Sequence, residues 1–269
     1  MKQYPLIANK IYNEPWLITR EKHLAIQQVF EAHIAGSADK VLGYDRDEDS
    51  GYPKPRFING VMVIPVHGIL GKHLSSLEIW CGGCSVEQIS EHIKRAEEDF
   101  SVREVIFDFR SPGGTVSGIP ELANQIGRMR KRATAFADLE CCSGAIWLAS
   151  QAKQFYVTES AVIGSVGVYS IYLDRSKQLE EMGIKVNAIS SGEFKLTGAS
   201  FKPMTEEERE MLQARIDGIY AKFKTAITSH REIPDEYLQG QVFYGDEALT
   251  YGFCDGLVEA IEDLFESHR

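Results

Sequence analysis

Phe107-Asp-Phe-Arg-Ser-Pro-Gly-Gly-Thr115 closes an apolar run that begins at Glu104 and leads straight into a helical pattern. A strand entering a Pro-Gly-Gly turn and then a helix is one unit of an α/β fold. Two glycines let the backbone approach a ligand closely, and a turn entering a helix presents unpaired N–H groups. Strand-like runs recur on both sides of it, at Gly60–Val66, Ala133–Ala137, Gln154–Thr158 and Lys185–Ile189. Helical patterns fall between and after them: Val86–Asp99, Val116–Lys131, Gly144–Gln151, Leu173–Met182, Glu206–His230, Asp246–Tyr251 and Glu259–Ser267. This alternation predicts an α/β domain with mostly parallel strands. Thr205 followed by three glutamates is a helix start, with an N-cap and then acids that suit the positive helix end.

The first 56 residues read differently. Apolar residues in Leu17–Ile34 recur at helical spacing, whereas Ala38–Arg56 is charged and contains Gly and Pro, the pattern of a linker or mobile loop. The expected organisation is an N-terminal arm and linker over 1–56, followed by one domain over 57–269. The chain has 269 residues, 43% hydrophobic and 25% charged, with a net charge of −10. That acidity argues against nucleic acid or an anionic membrane surface as partner. No signal-peptide-like segment opens the sequence, and no run approaches the ~18 apolar residues of a membrane span, so a cytoplasmic protein without membrane anchor is expected. Five cysteines in such a chain argue against structural disulfides. Cys81-Gly-Gly-Cys84 has the spacing of half a zinc site, but adjacent Cys141 and Cys142 fit poorly as the other half, so no metal is expected. His67, between a strand and a glycine, reads as a hydrogen-bonded structural histidine.

Four segments carry residues with chemical potential, and each has a plain alternative. The Pro-Gly-Gly turn can supply oxyanion donors, worth roughly 3–4 kcal/mol for one well-aimed N–H; alone it reads as a turn. Ser143, in Leu139-Glu-Cys-Cys-Ser-Gly-Ala-Ile-Trp-Leu-Ala149, stands where a turn gives way to a helix. It is a nucleophile candidate, but the same position suits an N-cap. Ser165, in Val162-Ile-Gly-Ser-Val-Gly-Val168, can orient an amine or satisfy a backbone group. Lys195, in Ile189-Ser-Ser-Gly-Glu-Phe-Lys-Leu-Thr-Gly198, is either a solvated charge or a general base. The second role requires desolvation that lowers its pKa by roughly 3 units. A neutral lysine can take a serine proton without histidine or aspartate.

Taken in order, Ser-Pro-Gly-Gly, Cys-Ser-Gly-Ala-Ile-Trp-Leu-Ala-Ser, Gly-Ser-Val-Gly-Val and Ser-Gly-Glu-Phe-Lys resemble the signal peptide peptidase A family over roughly Phe57 to Val258. The resemblance implies a Clp-protease/crotonase-like fold and a cofactor-free serine endopeptidase with a Ser–Lys dyad. By carry-over, Ser143 is the nucleophile, Lys195 the general base and Ser165 the residue that holds the lysine. The N–H groups of Gly113, Gly114 and Ser143 are the oxyanion candidates, and Lys202 is a competing lysine. Tyr4-Pro-Leu-Ile-Ala-Asn-Lys-Ile-Tyr, Pro15-Trp-Leu-Ile and Pro65-Val-His-Gly are similar to the phage head-maturation branch, the lambda capsid protein C type. That branch implies capsid or scaffold protein as substrate, a homo-oligomer in which lysine can reach a neighbour's serine, and action in host cytoplasm within the assembling prohead. Two positions depart from the family pattern: Arg110 puts a positive charge before the Pro-Gly-Gly turn, and Cys142 replaces a small residue before Ser143. The alternatives are a soluble bacterial peptidase that degrades signal peptides, distinguishable by genome neighbourhood, and a non-peptidase of similar fold. The latter is either a crotonase-like enzyme or a catalytically silent capsid-binding module. Acyl-CoA chemistry on such folds usually needs cleft carboxylates, and neither the Ser143 nor the Lys195 position carries one.

Overall fold

Two alternating sets of buried side chains explain why the central strands are apolar almost throughout. In Val61–His67, Val61 and Val63 pack into one core while Ile64 and Val66 pack into another. The same division separates Ile106 from Val105, Phe107 and Phe109, and Phe136 from Ala133, Ala135 and Ala137. A sheet covered on both faces buries every second residue on each side, so its strands lose the polar alternation of a half-exposed sheet.

The computed structural model describes residues 5–34 and 53–266. In chain order it contains α1 (Pro5–Asn13), β1 (Trp16–Ile18), α2 (Arg20–Ile34), β2 (Arg56–Ile58), β3 (Val61–His67), β4 (Ile69–Gly71), α3 (Ser76–Trp80) and β5 (Gly83–Ser85). There follow α4 (Val86–Glu98), β6 (Glu104–Ser111), β7 (Gly113–Thr115), α5 (Ile119–Gly127), β8 (Arg132–Cys142), α6 (Gly144–Ala149), β9 (Gln154–Val157) and β10 (Val162–Gly164). The last elements are α7 (Ser176–Glu181), α8 (Glu206–Thr228), a 3-10 turn at Asp235–Tyr237, β11 (Val242–Tyr244), α9 (Gly245–Thr250), β12 (Gly256–Leu257) and α10 (Asp263–Glu266).

The larger sheet runs β11-β10-β8-β6-β3-β2, with β9 paired to β8 and β12 to β9. Its pairings are parallel except those of β2 and β11, which are antiparallel. A smaller sheet has the order β1-β7-β4-β5. The α/β class with mostly parallel strands is therefore observed. Helix α4 fits its predicted span, and its buried Val86, Ile89, Ile93 and Ala96 recur at helical spacing. Each such large aliphatic side chain contributes about 1.5–3 kcal/mol on burial. The predicted start of α8 carries a reciprocal capping box between Thr205 and Glu208. At its other end α8 stacks Phe223 on Trp147 of α6, with ring centroids 4.8 Å apart.

Two expectations are corrected. Lys185–Ile189 forms no strand: every residue in it is exposed, Ile189 fully so, and no sheet edge stands beside it. An apolar run becomes a strand only where another strand offers its backbone. The helical spacing over Leu17–Ile34 is interrupted at its start, because Leu17 belongs to β1 and the helix begins at Arg20. Most of the predicted linker over 38–56 lies outside the described residues. Among the described residues no helix is long and apolar enough to cross a membrane.

Candidate active site

β8 is eleven residues long because its two halves serve different partners on one edge. Thr134–Ala137 pairs with β9, and Glu140–Cys142 pairs with β10. The strand thus carries on past β9, stays paired with β10 to Cys142, and delivers Ser143 to a sharp turn before α6. Ser143 is buried (1% exposed) with φ 53° and ψ −116°. A non-glycine residue at positive φ is strained, by about 1–3 kcal/mol, and survives only where its surroundings enforce it. The capping alternative is not what the structure shows: Ser143 makes no side-chain cap to α6, and its Oγ is buried without a hydrogen-bond partner. A serine set on a strained strand-to-helix turn has the backbone geometry of a nucleophile elbow, here with its hydroxyl buried.

The enforcing contact is a hydrogen bond from Ser143 N–H to Gly164 O at 2.8 Å. Gly164 lies opposite Cys142 in the β8–β10 register, which places Ser165 beside Ser143. Ser165 also has positive φ, 55°, and its N–H donates to Gln241 O at 2.6 Å. The structure thus brings Ser143 and Ser165 together. Two of the three oxyanion candidates have N–H groups that already carry a bond: that of Ser143 donates to Gly164 O. Gly113 N–H is likewise taken, by Ser111 Oγ at 3.2 Å, and that hydroxyl donates in turn to Gly68 O at 2.6 Å.

Gly114 N–H points elsewhere. β1 and β7 are antiparallel with Leu17 opposite Gly114. Thr19 N–H donates to Pro112 O (3.2 Å) and Val116 N–H to Pro15 O (3.3 Å). Hydrogen-bonded pairs alternate along an antiparallel ladder, so Leu17 and Gly114 form the intervening pair and Gly114 N–H faces Leu17 O. The same carbonyl crowds Gly113, where a methyl group would overlap it and would also stand 2.9 Å from Gly144 N. Gly144 N, in the first turn of α6, lies on the same side, where a methyl on Gly144 would stand 3.6 Å from Gly114 N, and it is a candidate donor that sequence reasoning did not name. The signal for it was the turn-to-helix step itself, since the residue after the turn carries a first-turn N–H.

Lys195 stands apart. It is exposed on a loop, with its own N–H bonded to Gly192 O at 3.2 Å, and it makes no hydrogen bond to Ser143 Oγ. The rival Lys202 is engaged by both carboxylate oxygens of Glu208, at 2.6 and 2.7 Å. His67 Nε2 pairs with Asp108 at 3.0 Å, the structural hydrogen bond expected of it. Arg110 does not charge the turn: its guanidinium bonds Asp138 at 2.8 Å and lies 3.9 Å from Asp108. Cys142 donates to Val162 O at 3.4 Å, and burial pushes its thiol pKa far up, which keeps it protonated and poorly nucleophilic. Cys81 is exposed while Cys84 is buried in β5. Among the described residues no three His, Cys, Asp or Glu side chains are grouped to hold a metal.

A buried serine on a strained turn, beside a backbone edge that already receives a peptide carbonyl, is a candidate hydrolase site. The chain belongs to peptidase family S49, whose family model matches residues 127–267. It is 27% identical to capsid assembly protease C of Escherichia phage lambda, over 98% of this chain and 65% of that protein. It is 28% identical to the head-tail preconnector protein GP5 of Enterobacteria phage P21, over 97% of this chain and 54% of that protein. The chain therefore spans between about half and two thirds of the length of these relatives. Among solved structures, an enoyl-CoA hydratase/isomerase family member overlays 80% of this chain and 72% of its own, with TM-score 0.43 and 17% identity. A likeness at that level carries no argument about chemistry.

Proposed function

We propose that this protein is a serine endopeptidase that cleaves capsid or scaffold protein during phage prohead maturation, with Ser143 as nucleophile and Lys195 as general base. The observation that carries the reading is the buried, unpartnered Ser143 hydroxyl beside a cradle of backbone N–H groups. The relatives in phages lambda and P21 support the capsid role. In the proposed reaction a neutral Lys195 takes the Ser143 proton as Oγ attacks the substrate carbonyl. Gly114 and Gly144 N–H groups then hold the oxyanion, a stabilisation of roughly 3–4 kcal/mol per donor. Collapse of the intermediate returns the proton from lysine to the leaving amine, and water repeats the sequence on the acyl-enzyme. Ser165, next to Ser143, is suited to receive and orient the amine.

For this to happen Lys195 must leave solvent. Its loop belongs to a surface carrying exposed Met182, Ile184, Val186, Ile189 and Phe194. Docking of that surface against another copy of the chain would desolvate the lysine and favour its neutral form. The proposed active form is accordingly a homo-oligomer in which lysine reaches a neighbour's serine. The reading is tested by co-expressing the protein with major capsid and scaffold proteins and mapping the products by mass spectrometry. Ser143→Ala and Lys195→Ala should each reduce defined cleavage at least ~10³-fold with folding retained. Cleavage unchanged in both variants would overturn the dyad.

A further inference from the structure

The backbone edge of β7, beside Gly144 and Ser143, is not vacant. β1 lies between two backbone edges, that of β7 and that of Tyr169. On one side it pairs with Gly113–Thr115. On the other, Trp16 and Tyr169 exchange hydrogen bonds at 2.8 and 3.2 Å. We propose that Trp16–Ile18 is a resident pseudosubstrate, with Leu17 in the position that precedes the scissile bond. The cleft accordingly takes extended peptides with a leucine-sized aliphatic residue there, and the arm competes with them. This rests on the reading of Ser143 as nucleophile, and it adds to that reading the substrate class and the means of restraint.

Three features of Leu17 fit a substrate residue. Its carbonyl faces Gly114 N–H in the β1–β7 ladder and lies where a methyl on Gly113 would overlap it, 3.4 Å from where a methyl on Gly144 would stand. Its side chain is completely buried (0% exposed), with Cβ 3.4 Å from where a methyl on Gly144 would stand. Its backbone adds an antiparallel strand to an otherwise open edge, the general mode by which extended peptides are read. Alternation along the strand sends Trp16 and Ile18 to the opposite face from Leu17.

The arm is fastened by contacts outside the cleft. Trp16 Nε1 donates to Lys10 O at 2.9 Å, Lys10 pairs with Glu78 at 2.8 Å, and Ser170 Oγ donates to Glu14 O at 3.1 Å. His23 is held between Tyr169 OH and Ile11 O at 2.8 and 2.9 Å. Meanwhile Ser143 Oγ has no partner and Lys195 is exposed, so the cleft is filled in a state where the proposed base is elsewhere. Peptide entry then requires β1 to leave.

The experiment measures binding rather than cleavage. A fluorescein-labelled hexapeptide copying residues 14–19 is titrated into full-length Ser143→Ala protein with an intact arm. The same titration is made with Leu17→Asp or Trp16→Ala added, each checked for folding by circular dichroism. Both arm variants should bind the peptide at least about tenfold more tightly than the intact arm. A peptide carrying the Leu17→Asp change should bind none of the three. Equal affinity across the three proteins, including no binding by any, would overturn the proposal. Because the readout does not use the Ser143 hydroxyl, failure of the capsid-cleavage assay leaves a positive binding result standing.

Discussion

Ser143 and Ser165 share an unfavourable backbone conformation, with φ of 53° and 55°, and they sit side by side on the ends of β8 and β10. Strain at two adjacent polar residues implies surroundings that over-determine both. Here those surroundings are backbone hydrogen bonds, Ser143 N–H to Gly164 O and Ser165 N–H to Gln241 O. Gly113 faces the same point from β7, at φ 100°, where a methyl would overlap Leu17 O and stand 3.0 Å from Cys142 O. Gly113→Ala is therefore expected to fill the oxyanion cradle and to strain the backbone together. We expect peptidase activity to fall ~10²-fold or more while stability drops by about 1–3 kcal/mol, the two read by capsid cleavage and urea unfolding. Activity retained at the wild-type level would mean the carbonyl cradle lies elsewhere.

Among the elements, the N-terminal arm is the one whose docking should respond to pH. His23 is buried, and that burial lowers its pKa from 6.5 despite the bond to Ile11 O. Its neutral ring donates from Nε2 to Ile11 O and accepts the Tyr169 hydroxyl at Nδ1, while packing 4.9 Å from the Trp16 ring. On the partner Tyr169 burial is the main influence, with Glu21 raising and Arg20 lowering the phenol pKa beside it. A histidine whose pKa is lowered on docking binds protons better when released. The docked state is then fully favoured above pH 6.5 and weakens as the pH falls below it. Hexapeptide binding to Ser143→Ala protein should accordingly strengthen several-fold between about pH 7.5 and pH 5.5, and His23→Gln should flatten that dependence. A profile identical in both proteins would show that His23 does not latch the arm.

At the scale of the whole molecule, the two catalytic candidates occupy different environments. Ser143 is enclosed by the body of the fold, and Lys195 is on an exposed loop among apolar residues that the single chain leaves uncovered. If a neighbouring copy supplies the lysine, Ser143→Ala and Lys195→Ala subunits can complement one another. Mixing the two inactive proteins in equal amounts and allowing subunits to exchange should restore about a quarter of wild-type activity. No recovery from mixed oligomers of normal size would place serine and lysine in the same subunit.

Much of this was readable from local pattern. The apolar runs in β3, β6, the first half of β8 and β9 declared buried strands, and Thr205 with its glutamates declared the start of α8. Ser143, Ser165 and the Pro-Gly-Gly turn were singled out because turn chemistry and helix starts are written in neighbouring residues. The misses were all decisions made at long range. Leu17 continues the apolar spacing of α2, yet it is a strand residue because β7 and Tyr169 supply backbone partners on both sides of it. Lys185–Ile189 has strand-like composition, yet it has no strand because no edge meets it. Which N–H groups remain for an oxyanion was equally invisible: Ser143 N–H is spent on Gly164 O, a partner fixed only by the β8–β10 register. Sequence determined most element types and singled out the candidate side chains, since these follow from a few adjacent residues. Tertiary structure decided which backbone groups are already paired and which strand lies along β7, because each depends on hydrogen-bond partners distant in the chain.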